Sequence, residues 1–259
     1  MSREPEVEIL YEEGPCVVVR KPFGLLTQAV REVASLERNL KSYIRRRENS
    51  PGDIYLVPIH RLDRPVSGVV LFARNVRAAK KLAHQFEKRQ VRKVYWACVS
   101  GQVDEPSGTW TDHVRKVPGE ARAEVVSEDH PQGRIAMLHY RTLATGRFGT
   151  WLEITLETGR THQIRIQAAA RGLPVLGDQQ YGSPVAFGPQ TEDLRERAIA
   201  LHGRSLRFKH PKTQQHVRVT ARCDDCWMKL GLPAREDLAE SCVETWPDGE
   251  EMGTSRGAK

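Results

Sequence analysis

Stretches of β-forming residues, separated by turn-rich connections, make up most of the chain. Strands are predicted at residues 7–11, 16–20, 54–59, 67–73, 91–100, 123–127, 135–144 and 150–157, and as a pair at 205–209 and 215–220. The stretch 67–73 is apolar throughout, which is typical of a strand buried on both faces. A sheet is therefore expected to form the core.

Three segments carry the periodicity of amphipathic helices, at residues 35–48, 76–89 and 161–171. Ser35 and Asn75 can cap the first two, because their side-chain oxygens accept backbone N–H groups of the first turn. Gly172 follows the third, in the position where glycine commonly ends a helix. Few helices among antiparallel-type strands predict the α+β class: a mixed, mainly antiparallel sheet core with flanking helices.

One domain is predicted between two tails. The chain has 259 residues, enough for one large domain with a sizeable core. The domain is expected at 7–232, after a short N-terminal tail at 1–6. From residue 231 the pattern is that of a frayed end, and residues 233–259 are expected to form an acidic, flexible C-terminal tail.

Charge is distributed unevenly along the chain. The net charge is +7, but residues 235–259 hold seven acidic and three basic residues, a net charge of −4, so the rest of the chain carries +11. A domain this basic favours a polyanionic partner, and nucleic acid comes first. The alternative is a solvated basic surface that only keeps the protein soluble, and charge alone does not decide between them.

The composition is that of a soluble cytoplasmic protein. No run of about 18 apolar residues is present, so no membrane span is predicted, and the polar N-terminus shows no secretory signal. Five cysteines, an odd number, favour a reducing compartment over a disulfide framework. Cys223 and Cys226 form a CxxC pair, which supplies two of the four ligands of a structural zinc, and we expect no metal there.

Asp63 is the first candidate for chemistry. It lies in the segment 60–65 between two predicted strands, with Arg61 and Arg64 on either side. A carboxylate on a loop that is held by a rigid scaffold is a common catalytic arrangement, and neighbouring guanidinium groups favour its charged form. The alternative is a structural salt bridge at the end of a strand, and the chemistry of the segment leaves both open.

Two further segments carry possible binding residues. At 159–167, His162 and Arg165 are three apart on a predicted helix and share a face, near a helix start that suits anions; a solvated basic helix end is the alternative. At 92–96, strand alternation places Lys93 and Tyr95 on one face. Tyr95 could stack on a base while Lys93 meets a phosphate, but a half-buried packing role is also open.

Taken together, these motifs resemble the RluA-type pseudouridine synthases. His60-Arg-Leu-Asp63, followed by Ser67 and Gly68, is similar to the signature of that family. The other similar motifs, in the family's order, are Lys21-Pro-Phe-Gly24-Leu, Lys93-Val-Tyr95, Thr158-Gly-Arg-Thr-His-Gln-Ile-Arg165, Pro174-Val-Leu-Gly-Asp178 with Tyr181-Gly182, and Leu201-His202. They span roughly residues 7–227. The chain departs from the family at Val66, where Thr is usual, and at Thr27-Gln28, where a Val-His pair is common.

The resemblance implies an RNA pseudouridine synthase, which isomerises uridine in place and needs no cofactor and no metal. It implies that Asp63 is the essential carboxylate, acting on the ribose or on the base, and that Arg165 pairs with it. Tyr95 would stack on the target base, Arg61 would fill the space of the extruded nucleotide, and Leu201 would pack beside the base.

The remaining residues of the implied site contact the RNA or shape the site. They are His60, Arg64, Lys21, Lys93, Arg160, His162, Gln163 and Ile164. Basic residues outside the motifs are expected to bind the RNA backbone: Lys41, Arg45, Arg46 and Arg47 on the first helix, then Lys80, Lys81, Lys88, Arg89 and Arg92. The expected partner is ribosomal RNA or transfer RNA, recognised by a monomer.

Three other functions compete with this interpretation. A non-catalytic RNA-binding protein would keep the basic surface without needing Asp63. A nucleoside hydrolase or glycosidase would generally need a second catalytic carboxylate, which no motif offers. A metal-dependent nuclease would need a cluster of Asp, Glu or His at ligand spacing, and the sequence shows none.

Overall fold

The computed structural model describes residues 7–29, 33–230 and 241–246, and in this part the strands outnumber the helices. The strands are β1 (Glu8–Glu13), β2 (Cys16–Lys21), β3 (Val57–Pro58), β4 (Ser67–Ala73), β5 (Arg92–Val99), β6 (Ser107–Lys116), β7 (Ala123–Val126), β8 (Arg134–Gly146), β9 (Gly149–Leu156), β10 (Leu201–Lys209), β11 (His216–Thr220) and β12 (Cys242–Trp246). The helices are α1 (Leu36–Arg47), α2 (Val76–Glu87) and α3 (Gln163–Ala169), and short 3-10 turns occur at Gln179–Tyr181, Leu194–Glu196 and Asp225–Leu230.

The strands form one mixed sheet. Its order is β1-β2-β4-β10-β5-β9-β8-β6-β7, with β11 and β12 added beyond β10 and β3 paired with β4. Every strand pair is antiparallel except β4 and β10, which run parallel where Ser67 meets His202 and Gly68 meets Gly203. The predicted α+β class with a mainly antiparallel sheet is confirmed.

The first two helices begin where the sequence predicts. The Ser35 side chain accepts the N–H of Arg38 at 3.4 Å, and Asn75 Oδ1 accepts the N–H of Ala78 at 2.8 Å. These contacts satisfy N–H groups that have no partner inside the helix. The apolar stripe of α1 is buried in the core, which stabilises the fold by about 1.5–3 kcal/mol for each large side chain.

The core packs against both faces of β4, the third strand in the main order of the sheet. All seven residues of β4 are buried, as its apolar sequence predicts. One apolar cluster packs α1 against β2, β4, β5 and β9, and a second packs α2 against β4, β10 and β11. Because both sides of β4 are covered, the loop that precedes it is joined to a strand that is buried along its whole length.

Several predicted elements have different bounds in the structure. The strand predicted at 54–59 is reduced to Val57–Pro58, because Val57 pairs with Ala73, the last residue of β4, and β4 does not extend opposite residues 54–56. The helix predicted at 161–171 begins only at residue 163, because His162 has a left-handed backbone with φ of +53°. Strand β6 was not predicted, since its charged and polar residues interrupt the apolar pattern.

The prediction of a frayed C-terminal end is wrong for Cys242–Trp246. These residues form β12, which pairs antiparallel with β11, from His216 opposite Trp246 to Thr220 opposite Cys242. The rest of the predicted tails, at residues 1–6, 231–240 and 247–259, lies outside the described residues. Within the described ranges, no helix is long and apolar enough to cross a membrane.

Two glycines mark the close approach of β4 and β10, and they predict unequal costs of substitution. Gly68 has φ of +126°, and a Cβ there would lie 2.3 Å from the carbonyl oxygen of Gly203. A Cβ on Gly203 would meet Leu62 at an ordinary 3.4 Å. We expect Gly68→Ala to lower the free energy of unfolding by about 2–4 kcal/mol and Gly203→Ala by about 1 kcal/mol or less. Urea unfolding of both variants tests this, and equal losses would contradict it.

His202 predicts a loss of stability in acid. Its fully buried ring meets the Ser67 hydroxyl at 2.8 Å and the Ala221 carbonyl at 3.2 Å, and burial lowers its pKa to about 3. Between pH 6.5 and 3 the unfolded chain therefore binds a proton at this ring that the folded protein does not. Stability falls as the pH falls through this window, by up to about 1.4 kcal/mol per pH unit.

Urea unfolding between pH 7 and pH 4 measures this contribution. We expect His202→Asn to give a shallower decline than the wild type, and the exposed His84→Asn to decline like the wild type. A decline in His202→Asn as steep as that of the wild type would show that another group accounts for the acid sensitivity.

Candidate active site

Asp63 lies in the loop between β3 and β4, and the backbone of this loop is held on both sides of it. The Thr27 hydroxyl accepts the N–H of Leu62 at 3.2 Å and donates to the carbonyl of the same residue at 3.0 Å. On the other side, the Gly24 N–H donates to the carbonyl of Arg64 at 2.8 Å. The segment that follows β2 therefore fixes the residues before and after the carboxylate.

Lys21 joins the same two segments from inside the protein. Its fully buried ammonium group donates to the carbonyls of Pro22, Leu25 and Arg64 at 2.8, 2.7 and 3.1 Å. Burial lowers the pKa of this amine to about 7, and the nearby charge of Asp63 partly opposes the shift. Three carbonyl acceptors match the three donors of an ammonium ion, so Lys21 acts as a tie between loops and does not reach the cleft.

Arg165 faces Asp63 from α3. Its Nη1 lies 3.3 Å from Asp63 Oδ2, and only 4% of its side chain is exposed, against 31% for Asp63. The other edge of the guanidinium binds Asp178 with two hydrogen bonds, of 2.6 and 2.8 Å. Such a fork fixes the plane of the guanidinium. The arginine therefore presents a rigid positive charge to a carboxylate that remains open to solvent.

His162 is the second neighbour of Asp63. The Tyr181 hydroxyl accepts the N–H of Ala123 at 2.9 Å, which leaves its own proton for Nδ1 of His162 at 2.8 Å. Burial lowers the pKa of His162, and the charge of Asp63 partly opposes the shift. In the neutral ring the proton then sits on Nε2, 3.6 Å from Asp63 Oδ2. The left-handed backbone of His162 aims the ring at the carboxylate.

Tyr95 and Lys93 line the cleft from β5. Burial and then the charge of Asp63 raise the pKa of the Tyr95 hydroxyl, so it keeps its proton at neutral pH. Burial also lowers the pKa of Lys93. An aromatic ring and an amine beside a carboxylate can hold a planar base and an adjoining phosphate.

The site lies in a cleft of about 1820 Å³, well above the volume of a typical small-molecule pocket. Its lining includes eleven lysines and arginines but only four acidic residues. The excess positive charge and the size both suit a polyanion that is larger than a nucleotide. Among the described residues, no group of three His, Cys, Asp or Glu side chains has the geometry of a metal site.

The structure brings together the predicted site residues other than Lys21. The cleft is lined by His60, Arg61, Asp63, Arg64, Lys93, Tyr95, Arg160, His162, Gln163, Ile164, Arg165 and Leu201. Lys21 is buried behind the loop and does not line the cleft. Its position therefore does not support the predicted contact with RNA.

Three of these residues mainly brace the site from within. Gln163 accepts from the Thr158 hydroxyl and the Arg160 N–H, and its amide donates to Met137. Ile164 is buried in the apolar core. His60 stacks on Phe86 at 5.2 Å and accepts the N–H of Leu71.

Three residues with clear structural roles had no role assigned from the sequence. Asp178 holds Arg165, Tyr181 orients His162 and packs under the Arg165 guanidinium at 4.8 Å, and Thr27 holds the Asp63 loop. The only signal for Asp178 and Tyr181 was their place in a recognised motif. The hydrogen-bond partners of all three are distant in sequence, so no local pattern could reveal them.

A sheet that carries a partly exposed carboxylate in a large basic cleft defines an enzyme that acts on a polyanion. Residues 15–170 match the model of the RNA pseudouridylate synthase family. This match covers more than half of the chain, which therefore belongs to that family. Its members isomerise uridine to pseudouridine in RNA.

Relatives and solved structures agree with this assignment. The chain is 31% identical to tRNA pseudouridine synthase C of Haemophilus ducreyi, over 87% of this chain and 94% of the relative. It is 34% identical to ribosomal large subunit pseudouridine synthase D of Pseudomonas aeruginosa, over 92% and 74% respectively. The structure of human RNA pseudouridylate synthase domain containing 4 shares the fold, with a TM-score of 0.71 at 20% identity over 88% of this chain and 94% of that one.

Thr27 provides a test of how the loop is held. Thr27→Val removes the hydroxyl at nearly constant volume and leaves two backbone groups of Leu62 without this partner. We expect kcat for pseudouridine formation to fall by about tenfold to a hundredfold with KM unchanged, because the carboxylate shifts without loss of RNA contacts. Thr27→Ser keeps the hydroxyl and should restore most of kcat. Equal activity of the valine and serine variants would contradict this role.

Proposed function

We propose that Asp63 is the catalytic carboxylate of this enzyme and that its substrate is a uridine in transfer RNA or in large-subunit ribosomal RNA. The observation that carries the proposal is the contact at 3.3 Å between the solvent-open Asp63 and the buried, doubly anchored Arg165. A nucleophile needs access to substrate and a fixed orientation, and this pair supplies both.

The reaction rearranges bonds within one nucleoside. The bond from the ribose C1′ to the uracil N1 breaks, the base rotates, and a bond from C1′ to C5 forms. C5 gives up its proton and N1 gains one, so atoms and electrons balance without an added reactant. In the proposed reaction Asp63 acts on the ribose or the base when the glycosidic bond breaks, and Arg165 holds it in position.

The surrounding residues suit a base that has left its stack. Tyr95 offers an aromatic face with a protonated hydroxyl, and the largely buried Leu201 lines the cleft nearby. Arg61 is exposed at the start of the loop, where it could take the place of the extruded nucleotide. One edge of the Arg64 guanidinium has a structural partner, because its Nε donates to the carbonyl of Gly24 at 2.8 Å.

Both RNA classes remain candidates for the substrate, because relatives named for each align with most of the chain. We infer that the enzyme acts as a monomer, since the predicted site residues other than Lys21 come together in one cleft within a single chain. Cytoplasmic action is consistent with an RNA substrate. Light scattering of the purified protein, with and without RNA, tests the oligomeric state.

Tritium release from RNA labelled at uridine C5 tests the chemistry. Pools of unmodified transfer RNA and large-subunit ribosomal RNA are incubated separately with the wild type, Asp63→Asn and Asp53→Asn. We expect release from one pool by the wild type and a loss of at least about 10³-fold in Asp63→Asn, because the amide is a poor nucleophile. Asp53 is an exposed carboxylate paired with Arg45, and its variant should retain activity.

The outcomes separate the competing functions. Residual activity of Asp63→Asn near that of the wild type would rule out the catalytic role of Asp63. No release from either pool despite salt-sensitive RNA binding would favour a non-catalytic RNA-binding protein. Free uracil among the products would favour a hydrolase.

A further inference from the structure

Three arginines lie side by side on neighbouring strands at one end of the sheet. In the strand register Arg92 of β5 pairs with Arg207 of β10, and Arg207 pairs with Arg218 of β11. Strands are about 5 Å apart, so the backbone positions of the three residues span about 10 Å. We call Arg92, Arg207 and Arg218 the arginine row. It is solvent-accessible, with Arg92 exposed and the other two partly exposed.

The arginine row begins in the active-site cleft and leads away from it. Arg92 and Arg207 line the same cleft as Asp63, together with Arg89 and His216, whereas Arg218 lies one strand further out. The row is built on strands, so its spacing is set by the sheet. A chain of phosphates leaving the active site over this edge would meet successive guanidinium groups.

Electrostatics favours an anionic partner for the arginine row. Like charges directly opposite each other on neighbouring strands destabilise a sheet, and here two such pairs adjoin. On β12, the residue that pairs with Arg218 in the register is Glu244. Its Oε2 lies 3.5 Å from Nη1 of Arg218. Both side chains of this pair are about 40% exposed, so solvent screens it and it is weak. A phosphate can compete with Glu244 for Arg218.

Three basic residues of α1 pair with nearby acids. Lys41 pairs with Glu37, Arg45 with Asp53, and Arg47 with Glu12. None of the residues of α1 lines the cleft. The expectation from the sequence that α1 binds the RNA backbone is therefore less well supported by the structure than a contact at the arginine row.

We propose that the arginine row binds phosphates of the RNA that flanks the target uridine, and that Glu244 competes with the RNA at the outer end of the row. The proposal rests on the proposed function, because it takes RNA as the polyanion. In this proposal one wall of the cleft binds the RNA backbone, and strand β12 influences the affinity for RNA through Glu244.

The test measures RNA binding by fluorescence anisotropy across a series of salt concentrations. The probe is unmodified transfer RNA or a large-subunit ribosomal RNA fragment, whichever supports tritium release. Single Arg→Gln variants of the arginine row should each weaken binding by about five- to tenfold at low salt. The logarithm of the association constant falls linearly with the logarithm of the salt concentration. Each variant should also reduce the magnitude of this slope by about 0.7–0.9, the value for one lost phosphate contact. Arg45→Gln on α1 is the matched control and should bind like the wild type.

Two further variants separate charge from folding. Arg207→Lys keeps the charge and should restore most of the salt slope that Arg207→Gln loses. Glu244→Gln should act in the opposite direction and raise affinity by about two- to fivefold, since a competing carboxylate is removed. Thermal melts of each variant show whether it is folded.

Opposite results would overturn the proposal. The arginine row is not a phosphate site if its Gln variants show the affinity and salt slope of Arg45→Gln. Unchanged affinity in Glu244→Gln would remove the competition at β12. Either result can occur while wild-type protein still releases tritium, so failure here is distinct from failure of the proposed function, which would appear as no release by the wild type.

Discussion

The buried ion pair between Arg165 and Asp178 is the contact on which the arrangement of the active site depends. Removing two charges from water is costly, and the two hydrogen bonds of the fork offset that cost only when both partners are held in place. The sheet and α3 supply that rigidity. Because one edge of the guanidinium is committed to Asp178, the other edge has a fixed direction, and that direction is toward Asp63. The fixed guanidinium in turn orients the partly exposed carboxylate of Asp63.

The loop that carries Asp63 is fixed by contacts of a different kind. Thr27 and Lys21 bind its backbone, and the side chain of Asp63 lines the cleft. The loop also leads directly into β4, whose residues are all buried. A carboxylate exposed on a mobile loop would spend most of its time out of position. Here the backbone is held from the protein interior, and the carboxylate faces the cleft.

The distribution of charge follows the same division between structure and function. On α1, Lys41 pairs with Glu37 within the helix, and Arg47 pairs with Glu12 of β1. Around the cleft, basic residues outnumber acidic ones by eleven to four, and three arginines adjoin across β5, β10 and β11. Basic composition alone could not distinguish these two groups. Which of them line the cleft depends on strand register and on the packing of distant segments.

The sequence by itself determined the class of fold, the helix starts at Ser35 and Asn75, the buried strand β4 and the motif that contains Asp63. These features depend on local periodicity, on capping residues and on the order of motifs, and all three can be seen in the sequence without the fold. Only the tertiary structure decided that Lys21 ties loops together, that Asp178 and Tyr181 hold Arg165 and His162, and that β12 adds to the edge of the sheet. Each of these joins segments far apart in sequence or depends on strand register. Their energies come from burial and hydrogen bonding that exist only after the chain has folded.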